Sequence, residues 1–423
     1  MFIKNTFRKP IVKNLSILVL GTVIAQLIFI GFQVILRRLY SPNDFGAFAV
    51  YMSLLGIAAT LTSFRYEQAI VLPKDEKTGN HLLGLSVTLS LLFSLLLGIG
   101  CWFFTQQIAD WFSIPTERLT WLYWLPISIL LFGMYQALNY YLIRIKWFAL
   151  SSNNKIVRRL TEGTVQSAFG KWYLSIGLVV GDMLGQLANI IHAGFKIRSK
   201  ISIKELFSIT GMKTAAKQYR SFPLQNGIPS LMNALSLLLP ILIINRLFDS
   251  QTTGYFDLAR MVLILPLSLV TASLSQVLLQ RFAQMKNEQA SIKKEVLAVF
   301  ISLSAIAILF ATVIDVWGIQ LFTFVFGNEW SDSGTYAKIL VWAFALKFVI
   351  SPFNIVFTAF EKIGILSLWQ MFYFILILSL NWIPFKGIEQ FLTVYLLFEL
   401  ISYFVAAVMD AGLIIKYEKN LRK

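Results

Sequence analysis

Lys196–Arg220, KIRSKISIKELFSITGMKTAAKQYR, is the stretch whose reading decides the fold. It lies at the middle of 423 residues and holds seven Lys/Arg against one acid. No other interval so long lacks an apolar run. Long apolar segments flank it, and the two flanks resemble each other. The stretch therefore reads as a basic cytoplasmic linker, residues 196–220, between two membrane-embedded halves, residues 1–195 and 221–423. Within it Ile203, Leu206, Phe207 and Ile209 fall roughly on one helical side. That pattern fits either a short amphipathic helix lying on the membrane surface or a solvated connector. The linker's length would let the halves rock relative to each other.

The flanks set the class. The chain is 57% hydrophobic, 15% aromatic and only 14% charged, more apolar than a soluble domain requires and typical of a multi-span membrane protein. A spanning helix takes about 20 apolar residues, and runs of that kind recur. Before the linker they are Leu15–Ile35, Phe45–Phe64, Leu82–Phe104, Thr120–Ile143, Ser152–Gly170 and Trp172–Phe195. After it come Phe222–Asn245, Tyr255–Leu279, Val296–Ile314, Ile339–Phe360, Ile363–Phe385 and Phe391–Ile415. The first run is too long for a signal-peptide core and reads as a retained span. The fifth is weak, because Arg158, Arg159 and Glu162 lie in it. The expected fold is an all-α membrane protein of twelve transmembrane helices in two six-helix lobes.

The net charge of +16 admits nucleic acid or anionic lipid as a partner, but loop parity gives a simpler account. With the N-terminus in the cytoplasm, the inner segments hold Lys4, Arg8, Lys9, Lys13; Arg65, Lys74, Lys77; Arg144, Lys146, Lys155, Arg158, Arg159; and the seven cations of the linker. They continue with Arg281, Lys286, Lys293, Lys294; Lys362; and Lys416, Lys419, Arg422, Lys423, which makes 28 of 37. This asymmetry fits the positive-inside bias and supports both termini in the cytoplasm, and no nucleic-acid partner is implied.

The halves repeat. Arg38-Leu39-Tyr40 with Gly46 and Phe48 matches Arg246-Leu247-Phe248 with Gly254 and Phe256, at a constant offset of 208. Each set follows the first span of its half, which points to duplication. Six spans per half leave both halves in the same orientation, so the expected relation is a pseudo-two-fold axis along the membrane normal.

Enzyme and cofactor signals are missing. No G-x-x-x-x-G-K-[ST] occurs. His81 and His192 have no metal-ligand spacing, and Cys101 is the only cysteine. The chain reads as a non-enzyme without metal or cofactor. The informative residues are ionisable groups inside spans, which face a bundle interior or a wet path. Arg65 and Glu67 end the second span, where snorkelling is the ordinary alternative. Asp257 and Arg260 share a face of the eighth and could pair with each other. Lys347 is the one charge of the tenth; it must pair with another helix or face water, and Asp182 or Glu399 could be its partner. Asp315 and Asp410, nearer span ends, read as structural. Pro223, Gly227, Pro229 and Pro240 crowd the seventh span, and Pro266 and Pro352 interrupt the eighth and tenth, the pattern of broken helices beside a transport path.

Five segments carry a family resemblance: Tyr40–Phe48 (YSPNDFGAF), Ser63–Glu76 (SFRYEQAIVLPKDE), Tyr219–Asn226 (YRSFPLQN), Gly254–Pro266 and Phe326–Gly334 (FGNEWSDSG). In order and spacing they resemble the polysaccharide-export branch of the MATE-like flippases of the MOP superfamily, the Wzx-type O-antigen translocases. The resemblance implies a central cationic cavity and alternating access. It implies undecaprenyl-pyrophosphate-linked oligosaccharide as substrate, moved from the cytoplasmic to the outer leaflet for O-antigen, capsule or exopolysaccharide synthesis. The polymerase and glycosyltransferases of such a pathway would be further partners, with membrane lipids around the chain. Arg65, Arg220, Arg260 and Lys347 are the candidate cations for the pyrophosphate, and Asp182, Glu162 and Glu399 the candidate coupling acids. A cation-coupled MATE-type small-molecule exporter is the alternative. A membrane glycosyltransferase or polymerase would need a large catalytic loop, whereas the outer loops here are short.

Overall fold

The computed structural model describes residues 3–172, 175–198 and 202–421. Lys200 of the linker, residues 173–174 of the sixth predicted span, and the terminal Arg422 and Lys423 lie outside the described residues. Among the described residues the regular structure is helical, as hydrocarbon demands of backbone that must satisfy its own N–H and C=O groups. Twelve helices are long. They are α1 (Ile3–Leu36), α2 (Pro42–Ala59), α3 (Glu76–Phe103), α4 (Thr120–Arg144), α5 (Phe148–Lys171) and α6 (Gly177–Ile197), then α7 (Ser221–Leu247), α8 (Ser250–Asn287), α9 (Lys293–Phe326), α10 (Ser331–Ile350), α11 (Ile363–Ser379) and α12 (Ile388–Leu421). Eight of them, α3, α4, α6, α7 and α9–α12, are long and apolar enough to cross a membrane by length and composition.

The chain divides into two compact units, Met1–Ala234 and Leu235–Lys423, with the division inside α7. Each unit repeats one packing scheme. In the first, α4 packs against α2, α3 and α6, and α6 against α5. In the second, α10 packs against α8, α9 and α12, and α12 against α11.

The repeated motif marks the turn into the second helix of each half. Ser41 caps α2: its Oγ accepts the Asp44 N–H at 3.2 Å, and Asp44 Oδ2 accepts the Ser41 N–H at 3.1 Å. This is a capping box, with Pro42 pre-set for the first turn. Arg118 ties in from a neighbouring turn, donating to Asn43 O and Asp44 Oδ1, both at 2.8 Å. At the matching position, Asp249 caps α8 by accepting the Thr252 N–H at 2.6 Å. Asp75 caps α3 in the same way, and its bonds to Thr78 hold the carboxyl below the usual carboxylate range.

Three expectations change. First, Arg158 and Arg159 are not loop cations. They stand in the middle turns of α5 and face acids inside the first unit, so they drop out of the topological count, and inward pairing is what makes so polar a helix tenable. Second, α7 runs unbroken through Pro223, Pro229 and Pro240. Pro223 sits in the first turn, where no helical N–H bond is lost. Only at Pro352 does a predicted break appear: α10 stops at Ile350, a tight turn spans Ser351–Asn354, and Ile355–Ala359 resumes. Third, the linker is neither afloat nor solvated throughout. Its helix Ile209–Gln218 packs on α3, with Ala215 buried beside Leu82, Leu83, Leu138 and Tyr141. The Leu206 carbonyl presses so close to Gly84 that a Cβ there would lie 1.9 Å from it. Tyr66 OH donates to Ala216 O at 3.0 Å. Phe207 and Ile209 stay exposed.

Small residues set the helix spacing, as is usual where lipid supplies no hydrophobic drive between helices. A Cβ on Gly185 of α6 would meet the Arg158 carbonyl of α5 at 2.9 Å. Gly185→Val is therefore expected to push α5 and α6 apart, costing about 1–3 kcal/mol, and Ser41→Ala to cost about 1 kcal/mol through the lost cap. Melting curves of the detergent-purified protein check both, and unchanged melting for Gly185→Val would mean that the two helices are not held this closely.

Candidate functional site: a lysine in an aromatic cage

In the second unit the site begins with Lys347, one turn before the Pro352 break. Its Nζ lies 3.6 Å from Glu399 Oε2 on α12, and Glu399 is 1% exposed at its side chain. Of the two acids the sequence offers as partners, Glu399 is the one that meets Lys347. Glu399 is fixed by tyrosines: Oε1 accepts hydrogen bonds from Tyr373 OH of α11 and from Tyr395 OH, the latter at 2.8 Å. Tyr403 presents its ring to Nζ at 5.0 Å, Phe344 at 5.6 Å and Tyr373 at 5.9 Å, within the range of cation–π attraction. Trp369 stacks on Tyr373 with 9° between the planes and donates its indole N–H to Ser402 O at 2.8 Å. Each part of the cage is thus held by another, so the acid cannot swing to close the gap to the ammonium.

That gap matters chemically. An ammonium carries three donors, and an ion pair at 3.6 Å engages none of them at hydrogen-bonding distance. Lys347 is held by charge to Glu399 and by a side-chain hydrogen bond with Tyr403. It also lines a cavity of about 250 Å³, with Phe344, Phe348 and Ser351 on its own side and Ile264, Leu267, Ser268 and Thr271 from α8. Arg260, on α8, donates to the Leu237 carbonyl of α7 and lies within electrostatic range of both Lys347 and Tyr395. The second unit therefore brings Arg260 and Glu399 within electrostatic range of Lys347, and of the three Lys347 lines the cavity.

The first unit brings its acids to arginines instead. Asp182 accepts from Arg158 Nη2 at 3.1 Å and from Gln186 Nε2 at 2.6 Å. Arg159 Nη1 donates to both oxygens of Glu162, at 3.1 and 2.8 Å. The guanidinium groups lie over rings, Arg158 at 4.7 Å from Tyr135 and Arg159 at 4.4 Å from Phe29. Arg65 stands in a tight turn with φ 67, after Phe64 with φ 48, and pairs with Glu67 at 3.8 Å. Glu67 is itself bonded by Ser63 OH. Arg220 is exposed, just before α7.

Sequence reading missed the cage. Tyr395, Glu399 and Tyr403 recur every four residues, the spacing of one helix face, and that signal lay in plain view within the twelfth run. Tyr373 and Trp369 come from another helix and had no local signal. Arg158 and Arg159 were visible but stood in the topological count rather than as partners for Asp182 and Glu162.

Comparison with known proteins now bears on this arrangement. The family model for polysaccharide biosynthesis proteins matches residues 35–335. The chain belongs to that family. No curated protein sequence matches it significantly. Among solved structures, an inward-facing multidrug-resistance MATE transporter of the MOP superfamily superimposes with a TM-score of 0.75 at 14% identity, covering 93% of this chain and 96% of that one. The lipid II flippase MurJ, in an inward closed conformation, gives 0.74 at 13% identity, covering 96% and 90%. The Vibrio cholerae MATE transporter VcmN in its bent form gives 0.57 at 15%, covering 99% of each chain. At these identities the likeness is one of fold: this member of the polysaccharide biosynthesis family has the multi-pass helical fold of MOP-superfamily transporters.

The cage predicts a non-additive pair. Lys347→Met strands a buried carboxylate and is expected to cost about 3–5 kcal/mol, whereas Lys347→Met combined with Glu399→Gln removes both charges and is expected to cost far less. Melting of the two variants checks this, and equal losses would show that the charges do not act as a unit.

Proposed function

We propose that this protein flips undecaprenyl-pyrophosphate-linked oligosaccharide from the cytoplasmic to the outer leaflet of the bacterial plasma membrane by alternating access, with both termini cytoplasmic. The fold and the family are those of transporters, not of enzymes. The observation that carries the substrate reading is Lys347: a partly buried ammonium, 3.6 Å from its acid, that lines a cavity with Arg260 in electrostatic range. A pyrophosphate crosses a low-dielectric layer only with cations to receive it. The hydroxyls of Ser268, Thr271 and Ser351 at the same cavity are donated to backbone carbonyls of their own segments, so Lys347 is its one charged group; aromatic faces such as those of the cage suit sugar rings. The cavity volume matches a head group rather than an oligosaccharide, so passage requires the bundle to open. The lipid tail stays in the bilayer. Arg65 and Arg220 serve as further contacts for the head group in this reading, and the polymerase and glycosyltransferases of the same pathway are its partners.

Two measurements test it. In a deletion strain, lipid-linked repeat units are expected to stay inaccessible from the periplasm until the gene is restored; their continued exposure overturns the proposal. Arg260→Gln, and the folded Lys347→Met/Glu399→Gln pair, are each expected to lose about 1.5–3 kcal/mol of charge-assisted binding, roughly 10- to 150-fold in flux at low substrate. Ion-driven efflux of small molecules without movement of lipid-linked sugar would establish a cation-coupled exporter instead.

A further inference from the structure

Asp182, Glu162 and Glu399, the acids that the sequence offers for ion coupling, each meet a cation. Asp410 does not. It lies eleven residues after Glu399 on α12, three turns along the same face and about 16 Å away. Its position near the end of the predicted span suggested a structural role, yet it is 4% exposed. Among the described residues it is the carboxylate with both oxygens buried and without a hydrogen-bond partner.

Among the described residues, the charged groups of the elements packed on α12 are engaged elsewhere or exposed, as Lys362 and Lys419 are. From α10, Lys347 is held by Glu399, while Asp332 and Lys338 belong to the far end of that helix. The segment 351–359 has no charged residue, and α11 has none either; its Tyr373 bonds Glu399. On α8, Arg281 pairs with Glu295 and Lys286 with Glu361. On α12 itself, Tyr395 OH bonds Glu399, Tyr403 sits over Lys347, Tyr417 OH donates to the Met285 and Ala290 carbonyls, Glu418 accepts from Ser291 and from the Ile292 N–H, and Lys416 is exposed. A hard metal ion would need several converging oxygens, and no group of three His, Cys, Asp or Glu side chains among the described residues could hold one.

A buried, unpartnered carboxylate neutralises itself by taking a proton. We infer that Asp410 is the proton-coupling site of this transporter, holding a proton as the neutral acid in the conformation described here and releasing it when the transport cycle admits water. The step is a plain acid dissociation: the O–H bond breaks, the electron pair stays on the carboxylate, water takes the proton, and reclosing reverses it. The inference rests on the transport reading above but not on the identity of the substrate.

The test uses the purified full-length chain in two arms. Infrared difference spectra across a pH titration are expected to show a protonated-carboxyl C=O band that persists at neutral pH, is absent in Asp410→Asn, and is shifted in Asp410→Glu. In proteoliposomes loaded with lipid-linked oligosaccharide, flux with a pH gradient divided by flux without one is expected to exceed unity in the wild type, fall to one in Asp410→Asn, and recover in Asp410→Glu. A missing wild-type band overturns the site whatever the substrate. A band that vanishes in Asp410→Asn while the flux ratio is unchanged also overturns it, because the acid would then be merely structural. Should Asp410→Asn not fold, the Asp410→Glu shift decides the infrared arm. A wild type that shows the Asp410 band, yet moves no lipid-linked sugar, overturns the substrate and upholds the proton site.

Discussion

In hydrocarbon a charge is tolerated only beside another charge or a well-aimed dipole, and the second unit is organised by that constraint around Lys347 and Glu399. The ion pair draws on α10 and α12, and the tyrosines that hold the acid add α11. Removing any of these groups would leave another polar atom stranded in a medium that cannot hydrate it. The same network holds the carboxylate 3.6 Å from the ammonium, which also bonds Tyr403 and lines the cavity.

The first unit answers the same constraint differently. Arginine, planar and always charged, binds carboxylate through a fork and stacks on rings. Arg158 and Arg159 use these properties to saturate Asp182 and Glu162 and to rest on Tyr135 and Phe29. Arg158–Asp182 reads as a lock between α5 and α6, reinforced by the close approach at Gly185, while Arg159–Glu162 is a pair within α5. Lysine, a compact point charge on a flexible stem, suits the looser arrangement in the second unit. The repeat thus preserved helix order and packing while its two copies came to use buried charge for different ends.

The twelve long helices, their matched order in the two halves and the position of Lys347 as the lone charge of its run were legible in the sequence, because each depends on composition or on spacing along one chain. The segments that carried the family resemblance turn out to be punctuation: Ser41 and Asp44 form a capping box, Asp75 caps α3, and Arg144 pins the turn before it by donating to the Ile70, Pro73 and Asp75 carbonyls at 2.6–3.0 Å. Local chemistry of this kind survives in sequence. What was hidden needed a third dimension. Whether an acid meets a cation depends on which helices pack, so Asp182 and Glu399 could not be told apart as partners for Lys347, and Asp410 looked peripheral. Proline in α7 misled for a related reason: its effect depends on its place in the helix and on what neighbours offer the freed carbonyls.

The docked helix at Ile209–Gln218 has a mechanical consequence. A segment moored over these ten residues holds no slack there, so this part of the basic stretch is no loose leash. The chain crosses from one compact unit to the other inside α7, after Ala234, as continuous helix and not as loop.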